Sequence, residues 1–333
     1  MKPRVGVLMG DPTGVGPELI ATLLAKFPVR DHAEVLIIGD HRYFGIGETF
    51  AGVSVPVRVV GRLEDVDFGA EEFQLLNIRG AAPDEFTIGQ LSAKAGASVL
   101  DVLGYSLDLA KDRKLDALVY GPFNKEAMAM AGSPFPDESH FIADRLGWTG
   151  HFSEINIVDE LWTSRVTSHV AFSQVSSLIT REAVYKAIML VRDALQLAGV
   201  REPRLGVAAL NPHGGEGGLF GKEEREAIAP AVSQARLAGI NVSGPFPADT
   251  IFLRAKTGAF DAVVTMYHDQ GQIALKLMGF DRIVAVEGGL PIPITSPSHG
   301  TAFEIAGRGK ADPGATWQAF RIACRMGANA RRN

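Results

Sequence analysis

The stretch VGVLMGDPTGVGPE, residues 5–18, decides how the rest of the chain is read. Val5–Met9 is an apolar, β-branched run that reads as a strand, a Gly/Pro-rich loop follows, and a helix begins near Glu18. Strand, glycine loop and helix in that order open an α/β layer, and backbone N–H groups at such a helix start can hold an anion. The loop is not a Walker A sequence, which needs Gly-Lys-Ser/Thr, and GxGxxG occurs nowhere in the chain. The expected fold is therefore α/β. The plainer alternative for the glycines is that they only permit a tight strand-to-helix turn.

Working outward, short β-branched runs alternate with helical patterns. Strands are expected at Val35–Ile38, Val55–Val60, Leu115–Tyr120, Glu154–Val158, Arg165–Val170, Leu205–Leu210 and Ala262–Met266. Helices are expected at about 90–113, Arg181–Ala198, Lys222–Ala238 and Trp317–Met326. This alternation implies a largely parallel sheet with helices packed on it. No linker-like stretch, repeat or low-complexity segment interrupts the 333 residues, so two interleaved domains are expected rather than beads on a string. Their boundaries are drawn as 1–135 plus 286–333 for a cofactor-side domain, and 136–285 for a metal-binding and dimerisation domain.

Composition narrows the function. Lys and Arg total 33 against 38 Asp and Glu, a formal charge of −5, which argues against a nucleic-acid or anionic-membrane surface. A single cysteine forbids an internal disulfide and a cysteine-built zinc site. No apolar run approaches the roughly 20 residues that span a bilayer. The apolar stretch near the N-terminus is too short for a signal peptide, so a cytoplasmic protein is expected.

Three histidines stand near the ends of expected strands: His169 in Thr-Ser-His-Val, His213 in Asn-Pro-His-Gly-Gly-Glu and His268 in Tyr-His-Asp-Gln-Gly. Ligands collect at the carboxyl ends of strands in α/β folds, and three imidazoles leave a metal an open position for substrate. Any one of them could equally be an ordinary loop histidine. Asp249 and Asp269 lie near by in sequence and suit support of a ligating imidazole or general-base work; Asp249 could instead N-cap a helix. Lys276 falls on the helix expected after Asp269. Finally, SHGTAFEIAGRGKADP, residues 298–313, is too apolar for a linker and too rich in glycine for a plain helix, and could wrap a flat ligand with backbone amides.

Six segments in this order resemble the 4-hydroxythreonine-4-phosphate dehydrogenase family of the vitamin B6 pathway: MGDPTGVGPE, GPFNKEAM at 121–128, NPHGGEGG at 211–218, GPFPADT at 244–250, MYHDQG at 266–271 and HGTAFEIAG at 299–307. The last also resembles the adenosine loop of isopropylmalate and isocitrate dehydrogenases, whose fold is then implied; that fold is not Rossmann, which fits the missing GxGxxG. The resemblance implies pyridoxine biosynthesis and NAD-dependent oxidation of a secondary alcohol β to a carboxylate, followed by decarboxylation. It implies a homodimer whose active site is shared across the interface. A divalent metal (zinc, manganese, cobalt or magnesium) would be held by His169, His213 and His268, one of them from the partner subunit. Asp249, Asp269 and Lys276 would be catalytic, with Ser139 and Lys276 on the substrate. His299, Gly300, Thr301, Ala302, Glu304 and Asp312 would hold the cofactor, and the acid at 304 favours NAD over NADP because it repels a 2′-phosphate.

Three positions depart from the pattern. The family's His-Thr-Glu before Phe-Leu-Ala becomes Glu138-Ser139-His140, its phosphate-binding Asn becomes Ala285, and its phosphate-binding Arg becomes Ile294. Losing an Arg–phosphate pair removes a charge-assisted contact of about 1.5–3 kcal/mol. The same losses resemble relatives that oxidise unphosphorylated carboxylated cyclohexadiene diols, such as terephthalate dihydrodiol dehydrogenases. Arg282, close by in sequence, is a candidate to replace the charge. Readings of another class are a metal-dependent hydrolase, which has no use for the His299 loop, and a non-catalytic binding protein.

Overall fold

In the computed structural model, which describes residues 2–331, the chain is a mixed α/β protein that divides into two compact units. Unit 1 comprises Met1–Gly150, Val284–Val286 and Leu290–Asn333, and unit 2 comprises His151–Ile283 and Glu287–Gly289. The first break thus falls at 150 rather than 135, because the helix Glu138–Leu146 packs within unit 1 against the helix Ala93–Lys111.

Unit 1 begins with β1 (Arg4–Leu8), β2 (Glu34–Gly39), β3 (Val57–Val60), β4 (Phe73–Asn77) and β5 (Ala117–Tyr120), all parallel in the order β3-β4-β2-β1-β5. Val7, Leu36, Ile37 and Val119 have no exposed surface, as expected of parallel strands covered on both faces. Unit 2 holds β6 (Ser153–Val158), β7 (Leu161–Arg165), β8 (Leu205–Ala208), β9 (Val242–Phe246) and β10 (Ala262–Thr265). There β6 is antiparallel to β7, while β7, β10, β8 and β9 run parallel in that order. The chain then returns through β11 (Val284–Gly288) and β12 (Ile294–Pro297); β12 pairs parallel with β5 and antiparallel with β11.

The helices follow their local signals. Ser92 caps Ala93–Lys111 by accepting the Ala95 N–H, and Thr180 caps Arg181–Leu197 through the Ala183 N–H. In the latter, Val184, Ile188, Val191 and Leu195 recur at helical spacing and are buried.

Two expectations need correction. The strand expected at Arg165–Val170 lies earlier, at Leu161–Arg165, because Trp162, Thr163 and Ser164 are the buried, laddered residues. Beyond Arg165 the chain bends as Thr167 bonds the Met266 carbonyl through both its N–H and its hydroxyl. The helix expected over Lys222–Ala238 opens instead with a π-helical turn, Glu224–Ile228, before the regular helix Ala229–Leu237. Pro230 has no N–H to give the preceding turn, which widens the ladder there.

Candidate functional site

In unit 1 the opening loop is a closed piece of structure, not an open anion cradle. Thr13 N–H and hydroxyl both donate to Asp11 Oδ1, Gly14 N–H donates to the Asp11 carbonyl, and Val15 N–H donates to the Thr301 carbonyl. The Thr13, Gly14 and Val15 amides are therefore taken. A Cβ at Gly14 would stand 2.8 Å from the Thr301 side chain, so glycine serves close packing of this loop against the segment that begins at His299. The second Asp11 oxygen is buried without a partner, and burial pushes this carboxyl above its ordinary range despite the bonds from Thr13.

The His299 segment is anchored at both ends. Buried Glu18, in the first turn of the helix Gly16–Lys26, accepts N–H bonds from Gly309 and Ala311. His299 Nδ1 lies 2.9 Å from the Gly300 carbonyl, which can only accept, so Nε2 keeps its lone pair. Thr301 is buried, Ala302 adopts a left-handed φ of 46°, and Glu304 and Asp312 are exposed. Ser139 is half-buried in the first turn of the helix Glu138–Leu146.

In unit 2, parallel pairing of β7 with β10 sets their following loops side by side. His169 and His268 stand in those loops with ring centroids 5.4 Å apart, lining a pocket of about 190 Å3 with Thr167, Ser168, Phe172, Tyr267 and Asp269. Gln270 ties the turn down: its amide donates to the Ala209 carbonyl and its oxygen accepts the Met266 N–H. Asp269 Oδ1 sits 2.7 Å from His268 Nδ1. A carboxylate only accepts, so His268 donates from Nδ1, the arrangement that orients a metal-ligating imidazole when the ring is neutral. His268 begins the helix His268–Gly279, and Lys276 stands exposed two turns further along.

His213 is not part of that pair. It follows β8 in a run, His213 to Gly217, whose φ values are all positive, with His213 at 54° and Glu216 at 44°. Non-glycine residues enter this region singly and at a cost, so two of them here mark a strained, tightly specified loop. Glu224 holds its base by accepting the N–H groups of Leu210 and Asn211 and the Asn211 side-chain amide. Glu223 also accepts from Asn211, and bonds from Ser176, its own backbone and Asn211 pull its carboxyl down to about 2. His213 Nδ1 faces Glu216 at 3.1 Å and the ring is exposed. Among the described residues of one chain, no three His, Cys, Asp or Glu side chains stand close enough to hold a metal. His169 and His268 fit two positions of an imidazole-bound divalent ion, and a further ligand has to come from elsewhere.

Asp249 does not N-cap its helix. Pro247 holds that place, and Asp249 lies exposed in the first turn of Ala248–Lys256. Arg282 does not replace the missing phosphate ligand: its Nε donates to Asp159 at 3.0 Å and its Nη2 to the Met278 carbonyl. In unit 1, Ile294 is wholly buried and Ala285 nearly so, and Glu138 faces Lys125 at 3.6 Å. Sequence reading missed the Glu224 anchor; a glutamate following a glycine-rich loop gave no signal of its own.

A largely parallel α/β scaffold in two units, without a GxGxxG loop, has the isocitrate dehydrogenase-like fold. A β-decarboxylating dehydrogenase of Thermococcus kodakarensis shares the fold, with a TM-score of 0.50 at 16% identity over 96% of this chain and 81% of that one. The chain belongs to the PdxA family: the model described as pyridoxal phosphate biosynthetic protein PdxA matches residues 31–323. A Pseudomonas aeruginosa protein provisionally named 4-hydroxythreonine-4-phosphate dehydrogenase 2 is 52% identical, covering 98% of this chain and 97% of its own. The D-threonate 4-phosphate dehydrogenase of Cupriavidus necator is 39% identical over 96% of each. Among solved structures, the 4-hydroxythreonine-4-phosphate dehydrogenase of Klebsiella pneumoniae has a TM-score of 0.86 at 32% identity, covering 98% of both chains. The terephthalate 1,2-cis-dihydrodiol dehydrogenase of Burkholderia xenovorans has 0.68 at 26%, covering 97% of this chain and 98% of its own. The protein is thus an oxidoreductase acting on CH–OH groups.

Proposed function

We propose that this dehydrogenase uses NAD and a divalent metal to oxidise a secondary alcohol β to a carboxylate, with loss of carbon dioxide, on a substrate that carries no phosphate. The observation behind the metal and the chemistry is the His169–His268 pair, with Asp269 on the far nitrogen of His268. His213, exposed on its strained loop, completes the ligand set from a second copy of the chain. A bound divalent ion would supply Lewis acidity at the substrate oxygens. Asp269 orients the His268 ring, Asp249 accepts the hydroxyl proton, and the Lys276 ammonium holds the substrate carboxylate. Ser139 adds a hydroxyl donor to the substrate. In unit 1, residues His299 to Ala302 enclose the adenosine, and Glu304 and Asp312 accept its ribose hydroxyls.

Support for a homodimer comes from the surface of unit 2, where Phe172, Leu219, Phe220, Leu277 and Phe280 stand exposed. Support for an unphosphorylated substrate comes from Ile294 and Ala285, both apolar and buried, and from Arg282, engaged by Asp159. The test is NADH formation with zinc, manganese or magnesium, using 4-phosphohydroxythreonine, D-threonate 4-phosphate and a carboxylated cyclohexadiene diol side by side. Turnover of the diol alone is expected. Efficient turnover of either phosphate would overturn the substrate reading while leaving the reaction class in place.

A further inference from the structure

Arg165, the last residue of β7, lies four positions ahead of His169 and is almost fully enclosed, its side chain 5% exposed. Its guanidinium is held on three sides. Nη2 donates to Glu154 at 2.6 Å, Nη1 to Asn156 Oδ1 at 2.6 Å and Nε to Ser168 Oγ at 3.1 Å. The same Asn156 oxygen accepts from the Gln272 side-chain amide. Gln272 is buried on the helix His268–Gly279, one turn beyond His268 and one turn before Lys276.

One side chain therefore links the residue preceding His169 to the helix that carries His268 and Lys276. Arg165 does not line the histidine pocket. A buried cation is costly unless its donors are met, and an apolar side chain of similar volume would fill the space with less desolvation. What an apolar side chain lacks is a planar fork that fixes several acceptors at set angles.

We infer that Arg165 is a positioning residue: by clamping Ser168 directly and Gln272 through Asn156, it sets the spacing of His169 from His268 and the placement of Lys276. The inference rests on the metal reading of the histidine pair. Its test uses the full-length protein with Arg165→Met, Arg165→Lys and Ser168→Ala. Zinc affinity, steady-state kinetics and melting are measured, together with hydrogen–deuterium exchange of residues 166–170 and 268–276 without metal.

Arg165→Met leaves Glu154 without its cation, so it is expected to melt lower than the parent and to bind zinc about 10–100-fold more weakly, the range for partners that orient a ligand. Its kcat falls while KM for NAD stays unchanged, and exchange rises in both segments together. Arg165→Lys, which keeps the charge and loses the fork, shows the same losses; Ser168→Ala shows a smaller one confined to 166–170. Parental zinc affinity and exchange in the Met and Lys variants would overturn the inference. If Arg165→Met does not fold, the Lys and Ala variants decide it on the same readouts. A parent that binds no zinc, with exchange still rising in both segments of the variants, would sink the metal reading and leave the clamp standing.

Discussion

Unit 1 and unit 2 both put their functional candidates on loops, but they stabilise those loops in opposite ways. In unit 1 the residues 10–16 turn and the His299 segment are sewn to each other and to buried Glu18, so their amides are already used. In unit 2 the His213 loop is strained and exposed, and the loops of His169 and His268 are tied down by Thr167 and Gln270 beside apolar groups that water still reaches. Loops of the first kind form a rigid platform for a ligand that comes and goes. Loops of the second kind place polar side chains at the surface, where the proposed metal and second copy of the chain are tested.

The sharpest way to break this comparison is His268→Ala. It should lower turnover by more than about a hundredfold, since even partners that merely orient a ligand are worth that much, and shift melting little because the ring is part-exposed. Intact turnover would remove the distinction between the units. Next in size is a matched pair, Glu224→Ala against Glu18→Ala. Each strands backbone donors, for a stability loss of about 1–3 kcal/mol by denaturant titration. The first should also abolish metal retention, by freeing the His213 loop, whereas the second should raise KM for NAD and leave metal content alone.

Leu277→Glu tests the uncovered surface of unit 2. Sedimentation is expected to give a dimer for the parent and a monomer for the variant; a dimeric variant would move the interface elsewhere. The smallest effect concerns acid. Glu223 titrates near 2 when folded and near 4.5 when unfolded, so its contribution is complete above pH 4.5 and is lost as pH falls toward 2. The melting difference between Glu223→Gln and the parent should therefore shrink from pH 6 to pH 3; a constant difference would mean the carboxylate charge plays no part in anchoring the loop.

Much of the scaffold could be read from short windows. The β1 run, the two capped helices and the buried strand ending at Tyr120 lie within three residues of their expected places, because burial on both faces and capping are local signals. The strand before His169 was misplaced because Arg165–Val170 and Leu161–Arg165 have similar β character, and only the ladder with β10 separates them. The π-turn ahead of Pro230 and the helix start at Pro247 lie within short windows, but residue type alone does not separate them from a regular helix or an Asp249 cap.

Taken alone, the sequence determined the class of fold, the absence of a GxGxxG loop, which side chains are candidates for chemistry, and that apolar Ala285 and Ile294 stand at positions 285 and 294. These properties reside in residue type and local spacing. Only the tertiary structure decided that His169 meets His268 and not His213, that Arg282 is spent on Asp159, and that the glycine loop closes on Thr301 instead of on an anion. Each joins residues far apart in the chain, and the strand order that brings them together follows from the packing of the whole sheet, which no local stretch encodes.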